Sequence, residues 1–224
     1  MKAMILAAGR GERMRPLTDS VPKPLLPVAG KPLLQYHIEA LAAAGITDIV
    51  INLAWLGHLI REALADGSRF GVRIAYSDEG DAALETGGGI FEALPLLGPE
   101  PFLVVSGDIW TDCSLARVSK SLAASDVAHF VVVPNPKFHA RGDFALKDGR
   151  LVAAGERLTY ANIGIFRSEF FAGCSRGRFP LAPLMHEWIG KGRVGGELHH
   201  GRWCNVGTPE QLQELDASLR ADRR

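Results

Sequence analysis

The chain has 224 residues, of which 25 are Lys or Arg and 25 Asp or Glu, so its formal charge near neutral pH is zero. With 47% apolar and 22% charged residues it is globular rather than disordered, and long enough to bury a sizeable core. That balance excludes a global electrostatic draw toward nucleic acid or anionic lipid, and no apolar run approaches the ~18 residues of a membrane span. The three cysteines, Cys113, Cys174 and Cys204, are far apart and form no CxxC pair, so neither a disulfide framework nor a zinc knuckle is suggested. The apolar start is short and runs into Gly9-Arg10-Gly11-Glu12-Arg13 rather than a cleavage site. A soluble, cytoplasmic protein is expected, with its oligomeric state open, a homo-oligomer included.

In chain order, Ala3 to Ala7 is a short apolar run suited to a central buried strand. Pro16, Pro22, Pro24 and Pro27 then exclude a helix. A helix is expected from Pro32 to about Ala44, with Leu34, Ile38, Leu41 and Ala42 on one face and Gly45 as its stop. Asp48 to Leu53 reads as strand, Leu56 to Ala65 as helix, Val72 to Tyr76 as strand, Gly88 to Leu94 as helix and Phe102 to Val105 as strand. This alternation predicts an α/β protein with a parallel sheet and helices on both faces.

After Ser125 the rhythm changes. His129 to Val133 is a strand, and Asp143 to Leu146 with Leu151 to Ala154 flank the turn dipeptide Asp148-Gly149 as a hairpin. Tyr160 to Phe166 is a strand, with helices near Ser168 to Ala172 and Leu181 to Ile189. Glu197 to Asn205 reads as one strand, and Thr208-Pro209-Glu210 starts the last helix. His199-His200 is expected on an exposed strand, and the tail from Arg220 to Arg224 frayed. The chain has no repeat or linker. It reads as one domain over 1–224, with a first part to about residue 125 and a second part from about 126 that supplies a lid or pocket.

Residues 6–25 concentrate the chemistry. A GxG after the first strand invites a dinucleotide reading, but the third glycine would fall at Met14. A P-loop around Gly30-Lys31 would need glycine at Leu25 and Ser or Thr at Pro32. What remains is a loop whose two glycines let backbone N–H groups approach an anion. It carries Arg10, Arg13, Arg15 and Lys23 against Glu12 and Asp19, and prolines stiffen it. For GxG alone, a tight turn with solvated arginines is the simpler reading.

The whole string from Leu6 to Thr18, LxxGxGxRMxPxT, followed by Pro22-Lys23-Pro24, is more specific. With it the sequence resembles the sugar-1-phosphate nucleotidyltransferase family. That resemblance implies a Rossmann-like nucleotidyltransferase fold, with a mixed, mostly parallel sheet and a small sugar-binding lobe. It implies that the loop at Ala8, Gly9, Gly11 and Glu12 wraps a triphosphate, that Arg13 helps to expel pyrophosphate, and that Lys23 contacts phosphate oxygens. Leu84-Glu85-Thr86-Gly87-Gly88-Gly89 is similar to the family's second glycine segment, with Gly87 and Gly88 against the base. Ser106-Gly107-Asp108 resembles the motif whose Asp holds Mg²⁺. Gly142, Asn162 and, at a place whose usual context is missing, Glu156 correspond to sugar-side residues, as does Ser106. One position departs: Trp203-Cys204-Asn205-Val206-Gly207-Thr208-Pro209 has asparagine where the family has its second metal carboxylate. An amide oxygen can still face the ion, and Mg²⁺ is commonly held by one or two carboxylates with phosphate and water oxygens.

The reaction so implied is attack of a sugar 1-phosphate on the α-phosphate of a nucleoside triphosphate, with Mg²⁺ as cofactor and pyrophosphate as product. Ser77-Asp78-Glu79-Gly80, LETGGGI from Leu84, GDxWTD from Gly107 and Leu181 to Leu184 are most similar to members that use UTP and N-acetylmuramate 1-phosphate in cell-wall recycling. A guanylyl- or thymidylyltransferase for another sugar 1-phosphate is the nearer alternative. A catalytically weak nucleotide-sugar-binding regulatory protein is the other, and Arg13, Lys23 and Asp108 together argue against it.

Overall fold

Strand β1, Lys2–Leu6, places Ala3, Met4 and Ile5 wholly out of solvent, as a strand covered on both faces must. The computed structural model describes residues 1–80 and 83–222. The proline-rich stretch after β1 forms three single 3₁₀ turns and a two-stranded ribbon, β2 (Pro27–Val28) and β3 (Lys31–Pro32), which the sequence did not suggest. Helix α1, Leu33–Ala43, buries Leu34, Ile38 and Leu41. Gly45 at φ 75° ends it, with Ile46 N–H bonded back to Leu41 O. Next come β4 (Asp48–Leu53), α2 (Gly57–Leu64), β5 (Arg73–Asp78), α3 (Glu85–Leu97) and β6 (Phe102–Ser106).

The chain continues through β7 (Ile109–Thr111), α4 (Leu115–Val118), β8 (Ala128–Val133), β9 (Phe144–Lys147), β10 (Arg150–Val152) and β11 (Arg157–Phe166). It ends with α5 (Ala182–Gly190), β12 (Val194–Leu198), β13 (Trp203–Asn205) and α6 (Pro209–Ala221). Among the described residues, nine strands form one sheet in the order β5-β4-β1-β6-β11-β8-β12-β10-β9. It is mixed, as expected, but not mostly parallel. β5, β4, β1 and β6 are parallel, as are β8 and β12, whereas β11 is antiparallel to β6, β8 and β9, and β10 to β12 and β9. Because β9 also pairs with β11, the far edge curls back and leaves no long open strand there.

Alternate residues of the parallel strands enter two cores. Ala3, Ile5, Ile51 and Val105 pack against α1, α2 and α4. Met4, Val50, Val104 and Phe102 pack against α3 and α5, beside the ring cluster of Phe130, Phe166 and Phe170. Each such buried Val, Ile, Met or Phe side chain contributes roughly 1.5–3 kcal/mol. A third core joins Leu212, Leu215 and Leu219 of α6 to Met14, Val28 and Leu33, so the last helix clamps the first loop from beneath. A reciprocal capping box at Thr208 and Gln211 fixes where α6 begins.

Five further expectations change. Helix α3 starts at Glu85, not Gly88, and runs through three glycines and Pro95, because packing rather than propensity decides it. Ser168–Phe171 is one 3₁₀ turn. The expected strand from Glu197 to Asn205 is two strands in different sheets, since β13 pairs with β7 rather than continuing β12. His199 lies in the turn between them and is buried, with Nε2 2.9 Å from Asp112 Oδ1, while His200 is exposed. Arg220 and Ala221 are helical, and Arg223 and Arg224 lie outside the described residues. The cysteines are free thiols, and among the described residues no helix is long and apolar enough to cross a membrane.

Candidate active site

A cavity of about 590 Å³ opens at the carboxyl ends of β1, β4, β5 and β6, where an open parallel sheet offers its ligand crevice. Its rim is the loop after β1. Gly11 sits at φ 68°, and a Cβ there would stand 3.0 Å from Thr18 Cγ2, so glycine is required. Thr18 Oγ1 donates to Gly11 O at 2.8 Å and Met14 anchors the turn with no exposed surface. The loop's cations divide sharply. Arg10 stacks 3.6 Å over Trp55 and, with Arg15, binds Asp19. Against the cost of burial, those two guanidiniums hold the Asp19 carboxyl below its ordinary value. Arg13 is exposed in the cleft against Gly207, with no salt-bridge partner among the described residues.

Two polar residues to which the sequence alone assigns no site role organise the floor. Asn52, at the end of β4 and 3% exposed, accepts Ala7 N–H on Oδ1 at 2.7 Å and donates Nδ2 to Glu79 Oε1 at 2.6 Å. Glu79 Oε2 accepts Leu84 N–H at 2.6 Å, which ties the second glycine segment to the sheet. Burial raises the Glu79 carboxyl, and its bonds from Leu84 and Asn52 oppose that rise. The signal that could have found Asn52 is a polar residue closing an otherwise apolar buried strand.

The glycines of α3 do a different job from the one expected. A Cβ on Gly87 would lie 2.6 Å from Phe179, one on Gly88 2.3 Å from Gly177 O, and one on Gly89 2.5 Å from Glu79 Oε1. Gly87 and Gly88 admit the 177–179 segment, to which Gly88 N–H bonds at Phe179 O, and Gly89 leaves room for the Glu79 carboxylate. Ala83, Glu85 and Thr86, rather than Gly87 and Gly88, face the cavity.

Ser106 ends β6 at the cleft, and Asp108 follows it. Lys23, only 7% exposed, places Nζ 2.8 Å from Asp108 Oδ2. Ribbon β7–β13 sets Asn205 opposite Ile109, and Val206 N–H donates to Asp108 O at 2.8 Å. Asn205 Oδ1 is buried with no hydrogen-bond partner among the described residues. A carboxylate and an orphaned amide oxygen on neighbouring backbone positions are the donor types a hard divalent cation takes. Among the described residues no group of three or more His, Cys, Asp and Glu converges to cage a metal, so an ion here would draw its other ligands from phosphate and water oxygens. Behind them His37 Nε2–H donates to Ile109 O at 2.8 Å, and burial pushes its imidazole down to about 4.

A second cavity of about 330 Å³ lies on the other side of Asn205, between β11 and α5. A register shift in β11 between Tyr160 and Gly164 brings Asn162 to φ 58° and into this cavity's wall. Asp143, Tyr160, His139, His186, Phe138 and Trp203 also line it. Burial raises the Tyr160 phenol, which therefore stays protonated.

The structure thus gathers Ala8, Gly9, Gly11, Glu12, Arg13, Lys23, Ser106 and Asp108 around the first cavity, and Asn162 and Asn205 around the second. Ser106 lines the first cavity and not the second, where Asn162 stands. Gly142, at φ 60°, makes room for Asn135 and Arg157 and leaves the wall to its neighbour Asp143. Glu156 is exposed in the turn after β10, away from either cavity.

The profile of the nucleotidyl transferase family matches residues 2–142. The chain is 51% identical, over 97% of its own length and 97% of the relative's, to N-acetylmuramate α-1-phosphate uridylyltransferase of Neisseria meningitidis serogroup B. It is 39% identical to the protein of the same name from Caulobacter vibrioides, over 97% and 96% of the two chains. A Bacillus anthracis protein solved in complex with sucrose superposes with a TM-score of 0.88 at 22% identity, covering 98% of this chain and 95% of that one, which shows the shared fold.

Proposed function

The chain belongs to the nucleotidyl transferase family and is a transferase, and on that premise we propose that it joins UTP and N-acetylmuramate 1-phosphate into UDP-N-acetylmuramate and pyrophosphate. The observation that carries the reading is the meeting of two cavities at one backbone junction: Asp108 faces the first, Asn205 the second, and Val206 N–H bonds Asp108 O between them. A nucleotide seated on the β1 loop and a sugar phosphate seated by Asn162 would bring their phosphates together there.

Both reactants are anions, so the barrier is one of charge and position. The backbone N–H groups of residues 8–11 and the Arg13 guanidinium receive the β- and γ-phosphates, and Arg13 neutralises charge as pyrophosphate leaves. Lys23 Nζ, held on a stiff loop, turns from Asp108 toward the α-phosphate oxygens. An oxygen of the sugar phosphate attacks α-phosphorus in line, and the bond to the bridging oxygen of pyrophosphate breaks. The nucleophile is ionised near neutral pH, so the protein supplies no base. Asp108 and Asn205 would hold Mg²⁺, which supplies neutralisation between the two phosphates when bound. In this reading residues from about 126 onward form the acceptor side, apart from α6, and the enzyme works in the cytoplasm in cell-wall recycling.

The test is pyrophosphate release with each of four nucleoside triphosphates against N-acetylmuramate, N-acetylglucosamine, glucose and mannose 1-phosphates. Release is expected to be fastest with UTP and N-acetylmuramate 1-phosphate. A preference for GTP or dTTP with a neutral hexose phosphate would replace this reading with the corresponding guanylyl- or thymidylyltransferase.

A further inference from the structure

Among the described residues the acceptor cavity is lined by one carboxylate, Asp143, and both of its oxygens are engaged. Oδ1 lies 3.0 Å from His139 Nε2, and Oδ2 accepts Tyr160 N–H at 2.8 Å. A second imidazole, His186 on α5, is placed differently. Its ring meets Phe144 edge-on, with centroids 5.1 Å apart and planes at 63°, a contact that fixes the ring while leaving its nitrogens unused. No hydrogen bond or ion pair engages His186 among the described residues, and it is exposed at the mouth of the cavity. Phe138, 55% exposed, Met185 and Trp203 add apolar wall.

We propose that His186 recognises a carboxylate carried on the sugar ring of the acceptor, so that this cavity selects an acidic amino-sugar phosphate over its neutral counterpart. The proposal rests on the acceptor reading above. N-acetylmuramate differs from N-acetylglucosamine by a lactyl ether on O3, which adds one carboxylate and one methyl group. An imidazole donates an N–H to a carboxylate in either protonation state and adds charge when protonated. The apolar wall takes the methyl. His139 is committed to Asp143, so without His186 an acidic substituent would meet a cavity whose own carboxylate repels it, a cost that a neutral sugar escapes.

Equilibrium titration of the full chain with N-acetylmuramate 1-phosphate and with N-acetylglucosamine 1-phosphate tests this in the wild type and in His186→Leu. Because His186 is exposed, the variant is expected to keep the wild-type melting temperature. The wild type should bind the acidic sugar phosphate more tightly. His186→Leu should weaken that ligand about tenfold or more while changing the neutral one by less than about twofold. Equal weakening of both ligands, or an acidic preference that survives the substitution, overturns the assignment to His186 and leaves the acceptor reading standing. A wild type that prefers the neutral sugar phosphate overturns the acceptor reading and this proposal together.

Discussion

The two cavities that meet at Asp108 and Asn205 are built in opposite ways. Around the first, polar groups are tied to one another: Asn52 bridges Ala7 and Glu79, Lys23 pairs with Asp108, and Asp19 collects Arg10 and Arg15. Around the second, rings predominate and polar atoms are left over, with Asn205 Oδ1 unpartnered and His186 unengaged. On the proposed reading the first cavity takes a triphosphate, which is the same in every reaction of this kind, so its cradle can be fixed in advance. On that reading the second takes the sugar, and its wall comes from side chains that can change without disturbing the cradle.

The largest effect should come at the junction. Asp108→Asn keeps an acceptor for Lys23 but removes the carboxylate, and turnover should fall roughly a thousandfold with little change in melting temperature. Near-normal turnover would reduce Asp108 to a residue of the β6–β7 turn and separate the two cavities chemically.

Next is the pH response of His37 beneath the first cavity. Its folded value of about 4 lies below the ordinary 6.5, so folding favours the neutral ring. Below 6.5 the unfolded chain takes up a proton that the folded chain refuses until about 4, and stability present above 6.5 is lost as pH falls through that window. The loss should total about 3 kcal/mol, read from denaturant midpoints between pH 7 and 4. His37→Gln, which keeps a donor for Ile109 O, should flatten this slope. A slope unchanged in the variant would show that the fixed floor of the first cavity owes it to another group.

Lys23→Met keeps the stem that packs by Gly11 and removes the ammonium. It should lose about 1.5–3 kcal/mol of charge-assisted bonding to the triphosphate, read as a ten- to hundredfold drop in kcat/KM. Unchanged kinetics would mean that Lys23 never leaves Asp108 for phosphate.

The smallest effect sharpens the contrast from the acceptor side. Asn205→Asp should tighten Mg²⁺ severalfold in titrations, since a hard cation gains more from a carboxylate than from an amide. It should also lower the metal-free melting temperature slightly, because two carboxylates would face each other across the junction. An unchanged Mg²⁺ midpoint would remove position 205 from the ligand set.

The contrast also explains what the sequence reveals. The first cavity's rim is contiguous from Leu6 to Pro24, so its glycines, cations and prolines declare it in one string. Its floor is not contiguous: Asn52 and Glu79 meet only through parallel pairing of β4 and β5, and neither stands in a motif that announces the bond. The glycines of α3 were visible, but their reason, the close approach of residues 177–179 and of Glu79, is a tertiary fact. The second cavity draws on residues 138–144, 159–162, 182–186 and 203–205, four segments placed by the pairing of β9 with β11 and of β13 with β7, which hydropathy does not encode. Asn162, singled out by its string, lines the second cavity. Glu156 was misplaced because its neighbours give no local constraint on which way the turn after β10 points.

In the proposed reaction two anions meet directly at one junction with no protein nucleophile between them. UTP bearing sulfur on the α-phosphate, of known configuration at phosphorus, tests this when turned over with N-acetylmuramate 1-phosphate. A single in-line displacement predicts inversion at α-phosphorus in the nucleotide sugar. Retention would require two displacements through a covalent nucleotidyl-enzyme, and would contradict the direct meeting of the two cavities at Asp108 and Asn205.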